Sequence, residues 1–314
     1  MRALLVVNPR ATTTSTSTAD VIVQALSHEL DLEVTFTTHR EHGVDLGHWA
    51  LDNRLDAVIA LGGDGVVNEV LNGILRDGPG PSVPALAVIP GGSANVFSRA
   101  LRIPSDPVEA TGVILRAARS GRFRRIGLGH VRFDDGSRWF AVNAGLGIDA
   151  RIIAAMERQR KAGKRASPGR YLLTTIREYL KERNGPTMVV TRPGSTPMSG
   201  VLLAIVQNTA PWTYFGAVPI DPCPHASFDT GLDLFAVRSL GPVTTARAAT
   251  RMLTRFGGGS TRGIVVWHDQ ATFTVDTEEP EALVSLQVDG EGLGQTQQAT
   301  FVSHPGALLI MGTG

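Results

Sequence analysis

The sequence predicts an α/β domain built on a parallel sheet over residues 1–121, then a mainly antiparallel β-sandwich domain over residues 122–314. Three observations point there. Four short apolar or β-branched runs alternate with helix-periodic segments in the first 120 residues, as in a parallel sheet covered on both faces. After Gly121 the pattern changes to frequent short strands separated by Gly- and Pro-rich turns. At 314 residues and 42% apolar, the chain is long enough to bury two cores.

The elements follow in order. Strands are expected at ALLVVN (3–8), LEVTFTT (32–38), DAVIALG (56–62) and ALAVIPG (85–91), with helices near 19–31, 44–53 and 64–76. A further helix is expected over 106–120, with Pro107 in its first turn and Gly121 just past its end. FRRIGLGHVRF and SRWFAVNAGLG read as strands joined by the turn DDGS, and residues 148–183 read as helical around a polar break, KAGKRASPG. From 187 onward TMVVTR, GVLLAIVQN, LDLFAVRS, GIVVWHD, ATFTVDT and VSLQVDGE read as strands, interrupted by a helix near 242–256. The closing run GALLIMG is strongly apolar and is open to a return to the first domain. A small-molecule site is expected in the cleft between the domains.

Composition narrows the partners. A formal charge of +1 argues against a nucleic-acid binder. The single cysteine, Cys223, excludes an intrachain disulfide and a cysteine zinc cluster, and reads as a buried thiol. The eight histidines show no metal-ligand spacing, although His39 and His42 flank the end of the second strand. The first apolar run is five residues long and stops at Asn8-Pro9, so it reads as a strand rather than a leader. No apolar stretch is long enough to span a bilayer, which gives the expectation of a cytoplasmic chain or one resting on a membrane face.

Chemistry concentrates where strands meet helices. In ALGGDGVVNEVLNG, residues 60–73, Gly62, Gly63 and Gly65 permit a tight turn and close approach to the backbone, and Val67, Val70, Leu71, Ile74 and Leu75 recur at helical spacing. The unpaired N–H groups opening that helix suit a phosphate. Asp64 would repel a bare phosphate, so it points to a bridging Mg²⁺ or to an oriented hydroxyl; the plainer alternative is an acidic N-cap. A second seam, AVIPGGSANVFSRALRIP, offers Gly92, the Ser93 hydroxyl and the Asn95 amide as donors. The first strand ends in NPRATTTSTST, where Asn8 and Arg10 stand with hydroxyl side chains; a flexible low-complexity loop is the alternative there. Parallel strands would bring these turns to one carboxyl edge, the usual ligand edge of an open α/β sheet. In the second domain, LQVDGEG places Asp289 and Glu291 around Gly290, either as a β-turn with solvated acids or as a base for an attacking alcohol.

Together GGDGVVNEV, PGGSANVFSRALRIP, NPRAT and VDGEG resemble the diacylglycerol kinase catalytic domain family, which includes sphingoid-base, ceramide and bacterial lipid kinases. The resemblance implies transfer of the γ-phosphoryl group of ATP, with Mg²⁺, to a lipid hydroxyl. It also implies a nucleotide domain of the phosphofructokinase and NAD-kinase kind ahead of the β-sandwich. By position, Asn8, Pro9, Arg10, Ala11 and Thr12 resemble the first phosphate-side loop, and Thr38 a nucleotide contact. Gly62, Gly63, Asp64, Gly65, Val66, Val67 and Asn68 resemble the central loop, and Ser93 stands where the usual motif has threonine. Asp289 or Glu291 resembles the catalytic acid pair, with Asp289 as general base and Asp64 as a further candidate. Replacing Asp64 or Asp289 by asparagine is expected to remove turnover while leaving the fold intact.

Two positions depart from the family: Gly127 and Thr230 stand where it has aspartates of a structural Mg²⁺ network. Losing both together is coherent, because one remaining buried acid would lack its cation. The expectation is therefore no structural Mg²⁺, unless Asp229 or Asp233 rebuilds the site. Acceptors in view are diacylglycerol first, then sphingoid bases, ceramide and glycolipids; a water-soluble acceptor, as in NAD kinases, and a non-catalytic nucleotide or lipid sensor are the alternatives. Arg158, Arg160, Lys161, Lys164, Arg165 and Arg170 could rest on the anionic inner face of a membrane, or form a solvated helix face. Trp212, Tyr214 and Phe215 suit an acyl-chain pocket or ordinary core packing. A homodimer is also open.

Overall fold

The computed structural model describes residues 1–9, 16–147, 150, 185–215, 218–254 and 259–313. Its chain divides into two compact units, Met1–Leu128 with Pro305–Gly314, and Gly129–His304. The change of unit falls inside one continuous strand, β5 (Phe123–Phe133).

The first unit is built on β1 (Arg2–Val7), β2 (Asp31–Phe36), β3 (Ala57–Gly62) and β4 (Ala85–Pro90), parallel in the order β2-β1-β3-β4. Both β3 and β4 are buried along their whole length, as their unbroken apolar runs require. β2 lies at the edge and is half exposed, which its mixed sequence DLEVTF allows. The connections are α1 (Thr16–Ser27), α2 (His42–Asp52) and α3 (Asp64–Ile74), followed by α4 (Val96–Ala100) and α5 (Pro107–Ser120). α5 has the ends its sequence announces. The Asp106 carboxylate accepts the N–H groups of Val108 and Glu109, both at 2.9 Å, Pro107 opens the helix, and Gly121 closes it at φ 64°. The last strand, β18 (Gln298–Met311), brings Ile310 beside Leu86 of β4 in parallel, so the closing apolar run does return to the first sheet.

The second unit is a sandwich. One layer is antiparallel in the order β14-β13-β10-β7-β16-β17, formed by Ile264–Gln270, Leu232–Val237, Leu203–Gln207, Asn143–Gly147, Val284–Val288 and Glu291–Thr296. The other contains the first part of β18 with β15 (Thr272–Thr277), β8 (Met188–Thr191) and β9 (Met198–Val201), and the hairpin of β5 with β6 (Gly136–Phe140). Side chains alternate between faces along each strand. Ala204, Val206, Leu234 and Ala236 therefore join Phe140, Phe273 and Phe301 in the inner core. Their neighbours Ile205, Phe235 and Val237 pack outward with Trp212, Cys223 and Ala248 of α6 (Pro242–Thr254). A short hairpin, β11 (Thr213–Phe215) with β12 (Val218–Ile220), completes the unit.

Sequence reading merges elements here. GVLLAIVQN divides into β9 and β10, and VSLQVDGE covers the whole of β16, its turn and the first residue of β17. β18 is 14 residues long, of which only the apolar end was legible, since its first half alternates buried Ala299 and Phe301 with partly exposed residues and so has no unbroken apolar run. The expected helical region 148–183, with its basic cluster, lies outside the described residues except for Ala150.

Candidate active site

The parallel order carries the ends of four strands to one edge of the first unit. Backbone bonds join them: Asn8 N–H donates to Leu61 O (3.0 Å), Gly91 N–H to Gly62 O (2.8 Å) and Thr37 N–H to Val7 O (2.9 Å). The Asn8 turn, the Gly62–Gly65 turn, the Gly91–Asn95 turn and Thr38 thus line one edge, as convergent parallel strands predict. Arg10, Ala11 and Thr12 lie outside the described residues.

The three glycines of the central turn have different reasons to be glycine. A Cβ on Gly62 would stand 2.4 Å from Val66 Cγ1 and 3.2 Å from Asn8 Cβ. One on Gly63 would stand 3.2 Å from Gly92 Cα, and one on Gly92 only 2.6 Å from Gly63 Cα. Close contact with Val66 and Asn8 therefore requires glycine at 62, and packing of the two turns against each other requires it at 63 and 92. Gly65 is different: it is exposed, and a Cβ there would meet nothing within 4 Å. The residue before α3, Gly63, has no side chain to cap that helix.

Asp64 does not cap its own helix. Its carboxylate accepts the N–H of Val96 and of Phe97, both at 3.0 Å, at the start of α4. The acid thereby ties the second seam to the first. Burial pushes its carboxyl above the ordinary carboxylate range, against the lowering effect of the Phe97, Val96 and Asp64 N–H groups.

The Asn95 amide is engaged by its own turn. Its Oδ1 accepts Gly92 N–H at 2.9 Å and its Nδ2 donates to Gly92 O at 2.7 Å, with Asn95 in the left-handed region at φ 47°. It shapes the loop. Ser93 is exposed beside it. Val66, Val67 and Asn68 turn inward and are buried, the Val67 N–H donates to Gly63 O (3.3 Å), and Asn68 Oδ1 accepts from Asn72 (3.0 Å). Of these, Val66 keeps a backbone N–H in the first turn.

Thr38 is exposed at the end of β2. Its N–H donates to His42 Nδ1 (3.1 Å), and its hydroxyl bonds His39 Nδ1 (2.9 Å) and His42 Nδ1 (3.3 Å), with the two imidazoles stacked at 4.7 Å.

In the second unit, Asp289 and Gly290 form a two-residue hairpin loop between β16 and β17, with φ 47° and 81°. An Asp-Gly pair favours that turn. The β-turn was legible in the sequence, but its acids are not solvated. The Asp289 carboxylate accepts N–H groups of Ala141 (2.9 Å), Val142 (2.9 Å) and Asn143 (3.0 Å). Asparagine at 289 would turn an amide NH₂ toward one of these donors, so that exchange also loosens the unit, contrary to the expectation of an intact fold. Glu291 pairs with Arg138 at 3.3 Å, both side chains mostly covered at 17% and 13% exposure. Sequence reading missed the donors at 141–143, because nothing local marks three successive amides as partners of an acid 146–148 residues away.

At the departures from the resembling family, Gly127 is buried in β5, and the Thr230 hydroxyl donates to Ser227 O at 3.1 Å. Asp229 is exposed. Asp233 is buried, with its carboxylate on His268 Nδ1 (2.7 Å) and Asp269 N–H (3.0 Å). Trp212, read as suiting either an acyl-chain pocket or core packing, belongs to the outer core cluster.

The model of the diacylglycerol kinase catalytic domain matches residues 2–131. A diacylglycerol kinase of Staphylococcus saprophyticus is 40% identical over 91 residues, which is 29% of this chain and 26% of the relative. The match thus spans about a quarter of that curated relative's length. The crystal structure of a diacylglycerol kinase from Bacillus anthracis aligns over 99% of this chain and 97% of its own, with TM-score 0.71 and 22% identity. Yeast NADH kinase, complexed with NADH, aligns over 99% of this chain and 82% of its own with TM-score 0.53 and 13% identity, a likeness of fold alone. The shared seams and the matched domain lead to one conclusion: residues 2–131 are similar to the diacylglycerol kinase catalytic domain.

Proposed function

We propose that the chain is an ATP- and Mg²⁺-dependent lipid kinase that phosphorylates a lipid hydroxyl, with diacylglycerol as the acceptor and phosphatidic acid as the product. The observation that carries this reading is the open first turn of α3. Packing accounts for Gly62, Gly63 and Gly92, whereas Gly65 is exposed and leaves room beside the helix's first turn, whose N–H groups have no partner within the helix. Such a helix start favours anionic oxygen.

The residues fit a nucleotide better than a resident ion. Among the described residues no group of three His, Cys, Asp or Glu side chains could hold a metal. Mg²⁺ suits this setting when it arrives with ATP, because it keeps several waters and binds phosphate oxygens with few protein ligands. When bound, it supplies charge neutralisation on the phosphates. The α3 amides and the Ser93 hydroxyl hold phosphate oxygens, and Asp64 fixes the spacing of the two turns. In the transfer, the acceptor oxygen bonds the γ-phosphorus, the bond to the β-phosphate bridging oxygen breaks, and ADP leaves. The hydroxyl proton goes to a carboxylate, for which Asp289, Glu291 and Asp64 are the candidates. Asp64 has the proton affinity that burial raises.

Among the described residues no helix is long and apolar enough to cross a membrane. Contact with a lipid surface would fall to the basic cluster between Arg158 and Arg170.

The test is ATP consumption against extracted lipids and water-soluble alcohols, with products identified by mass. Phosphatidic acid from diacylglycerol is the expected result. Phosphorylation of soluble acceptors alone, or of nothing, refutes the reading. Asp64→Asn should lower turnover at least about 100-fold, the scale of a lost positioned carboxylate.

A further inference from the structure

Glu69 lies on α3 five residues beyond Asp64, yet its carboxylate serves a different element. Its Oε1 accepts Glu41 N–H and its Oε2 accepts Gly43 N–H, both at 3.0 Å. These amides open α2, whose N-cap residue Glu41 makes no side-chain cap bond and sits in the left-handed region at φ 66°. A carboxylate from a neighbouring helix therefore does what a local Ser or Asp usually does, with the sign the helix dipole favours. The contact is closely fitted: a Cβ on Gly43 would stand 2.7 Å from Glu69 Cβ and 2.8 Å from Glu69 Oε2.

The clamp reaches Thr38. His42, the first residue of α2, lies between the two amides that Glu69 holds, and its Nδ1 accepts the Thr38 N–H at 3.1 Å. The loop from Thr38 to Glu41 is thus fixed at one end by the sheet, through Thr37 N–H on Val7 O, and at the other by Glu69. The strand order β2-β1-β3-β4 sets Thr38 two strands away from the glycine turn along the same edge. A nucleotide with its phosphates on α3 can extend along this edge toward Thr38.

We propose that Glu69 is a positioning residue for the nucleotide, locking the Thr38 loop to the helix that holds the phosphates, so that both parts of the site move as one. The proposal rests on the nucleotide-binding part of the function above and is independent of which acceptor is used.

Calorimetric titration of ATP with Mg²⁺ into the full-length chain tests it, alongside steady-state kinetics and melting curves. Glu69→Ala should weaken ATP binding about tenfold, and Glu69→Gln, which keeps one acceptor oxygen, about threefold; KM for ATP rises in step while kcat at saturating ATP stays within about twofold. Gly43→Ala, which displaces the carboxylate without removing it, should show the same pattern and carries the test with Glu69→Gln if Glu69→Ala does not fold. Lower melting temperature with unchanged ATP affinity in Glu69→Gln and Gly43→Ala means a merely structural role and overturns the proposal. A wild-type chain that binds ATP but phosphorylates no lipid refutes the lipid-kinase reading and leaves the titration to decide Glu69. Failure of the wild type to bind ATP overturns both.

Discussion

Replacing Gly65 by alanine should make the first unit more stable and its nucleotide site worse. A methyl at this position meets no atom within 4 Å, so it introduces no clash with the protein. Removing the backbone freedom of a helical glycine gains about 0.5 kcal/mol, at the lower end of the range because the residue sits in the first turn. For a unit of this size that raises the melting temperature by about 1–2 °C. The Cα–Cβ bond of a helical residue leans toward the helix N-terminus, which is where the phosphate would rest. Forcing a methyl into such a contact costs about 1–3 kcal/mol, by comparison with overpacked cores. ATP affinity should therefore fall by about 5- to 150-fold. Gly92→Ala is the control of opposite sign, because its Cβ would approach Gly63 Cα to 2.6 Å and must lower the melting temperature. Differential scanning calorimetry and ATP titration on the same preparations read both quantities. Gly65→Ala with raised stability and ATP affinity within about twofold of wild type would refute the placement of phosphate on α3.

Two further outcomes concern the second unit. His130 is held down to about 4, first by burial and then by the charges of His304 and Arg132. Between the ordinary value of 6.5 and about 4 the unfolded chain binds the proton and the folded one does not, so stability falls as pH drops through that window. Urea midpoints followed by tryptophan fluorescence should show the loss, and His130→Phe should flatten it; an unflattened curve assigns the effect elsewhere. Removing divalent ions with EDTA should leave the melting temperature of the nucleotide-free chain unchanged, since Thr230 bonds its own turn and Asp233 pairs with His268. One Mg²⁺ per chain retained through dialysis, read by elemental mass spectrometry, contradicts that.

The parallel sheet was legible because burial on both faces leaves unbroken apolar runs, as in Ala57–Gly62 and Ala85–Pro90. α5 was legible because Asp106, Pro107 and Gly121 are local signals acting within a few residues. The convergence of the glycine turns also followed from sequence, since parallel strands must share an edge. What each glycine does was not legible. GGDG places three glycines on an equal footing, and only their contacts, Gly62 with Val66 and Asn8 and Gly63 with Gly92, separate those that packing demands from Gly65. The long β18 was half hidden for the opposite reason: its first half alternates buried Ala299 and Phe301 with partly exposed residues, so it shows no continuous apolar run to read.

The motif acids share one physical feature. Asp64 accepts from amides 32 and 33 residues away, Glu69 from amides 28 and 26 away, and Asp289 from amides 146–148 away. Each carboxylate holds backbone donors of a distant segment with charge-assisted bonds, stronger than neutral ones. Side-chain periodicity cannot report this, because the partners are main-chain groups that every residue except proline carries. An isosteric amide keeps one oxygen acceptor and sets an NH₂ against an N–H at the other position, so Asp→Asn or Glu→Gln alters geometry together with charge. Loss of turnover in such a variant therefore identifies a proton acceptor only when the segment it clamps has stayed in place. At Asp64 that segment is the start of α4, and unchanged protection of the Val96 and Phe97 amides from hydrogen exchange in Asp64→Asn is the condition for reading its lost activity as chemistry.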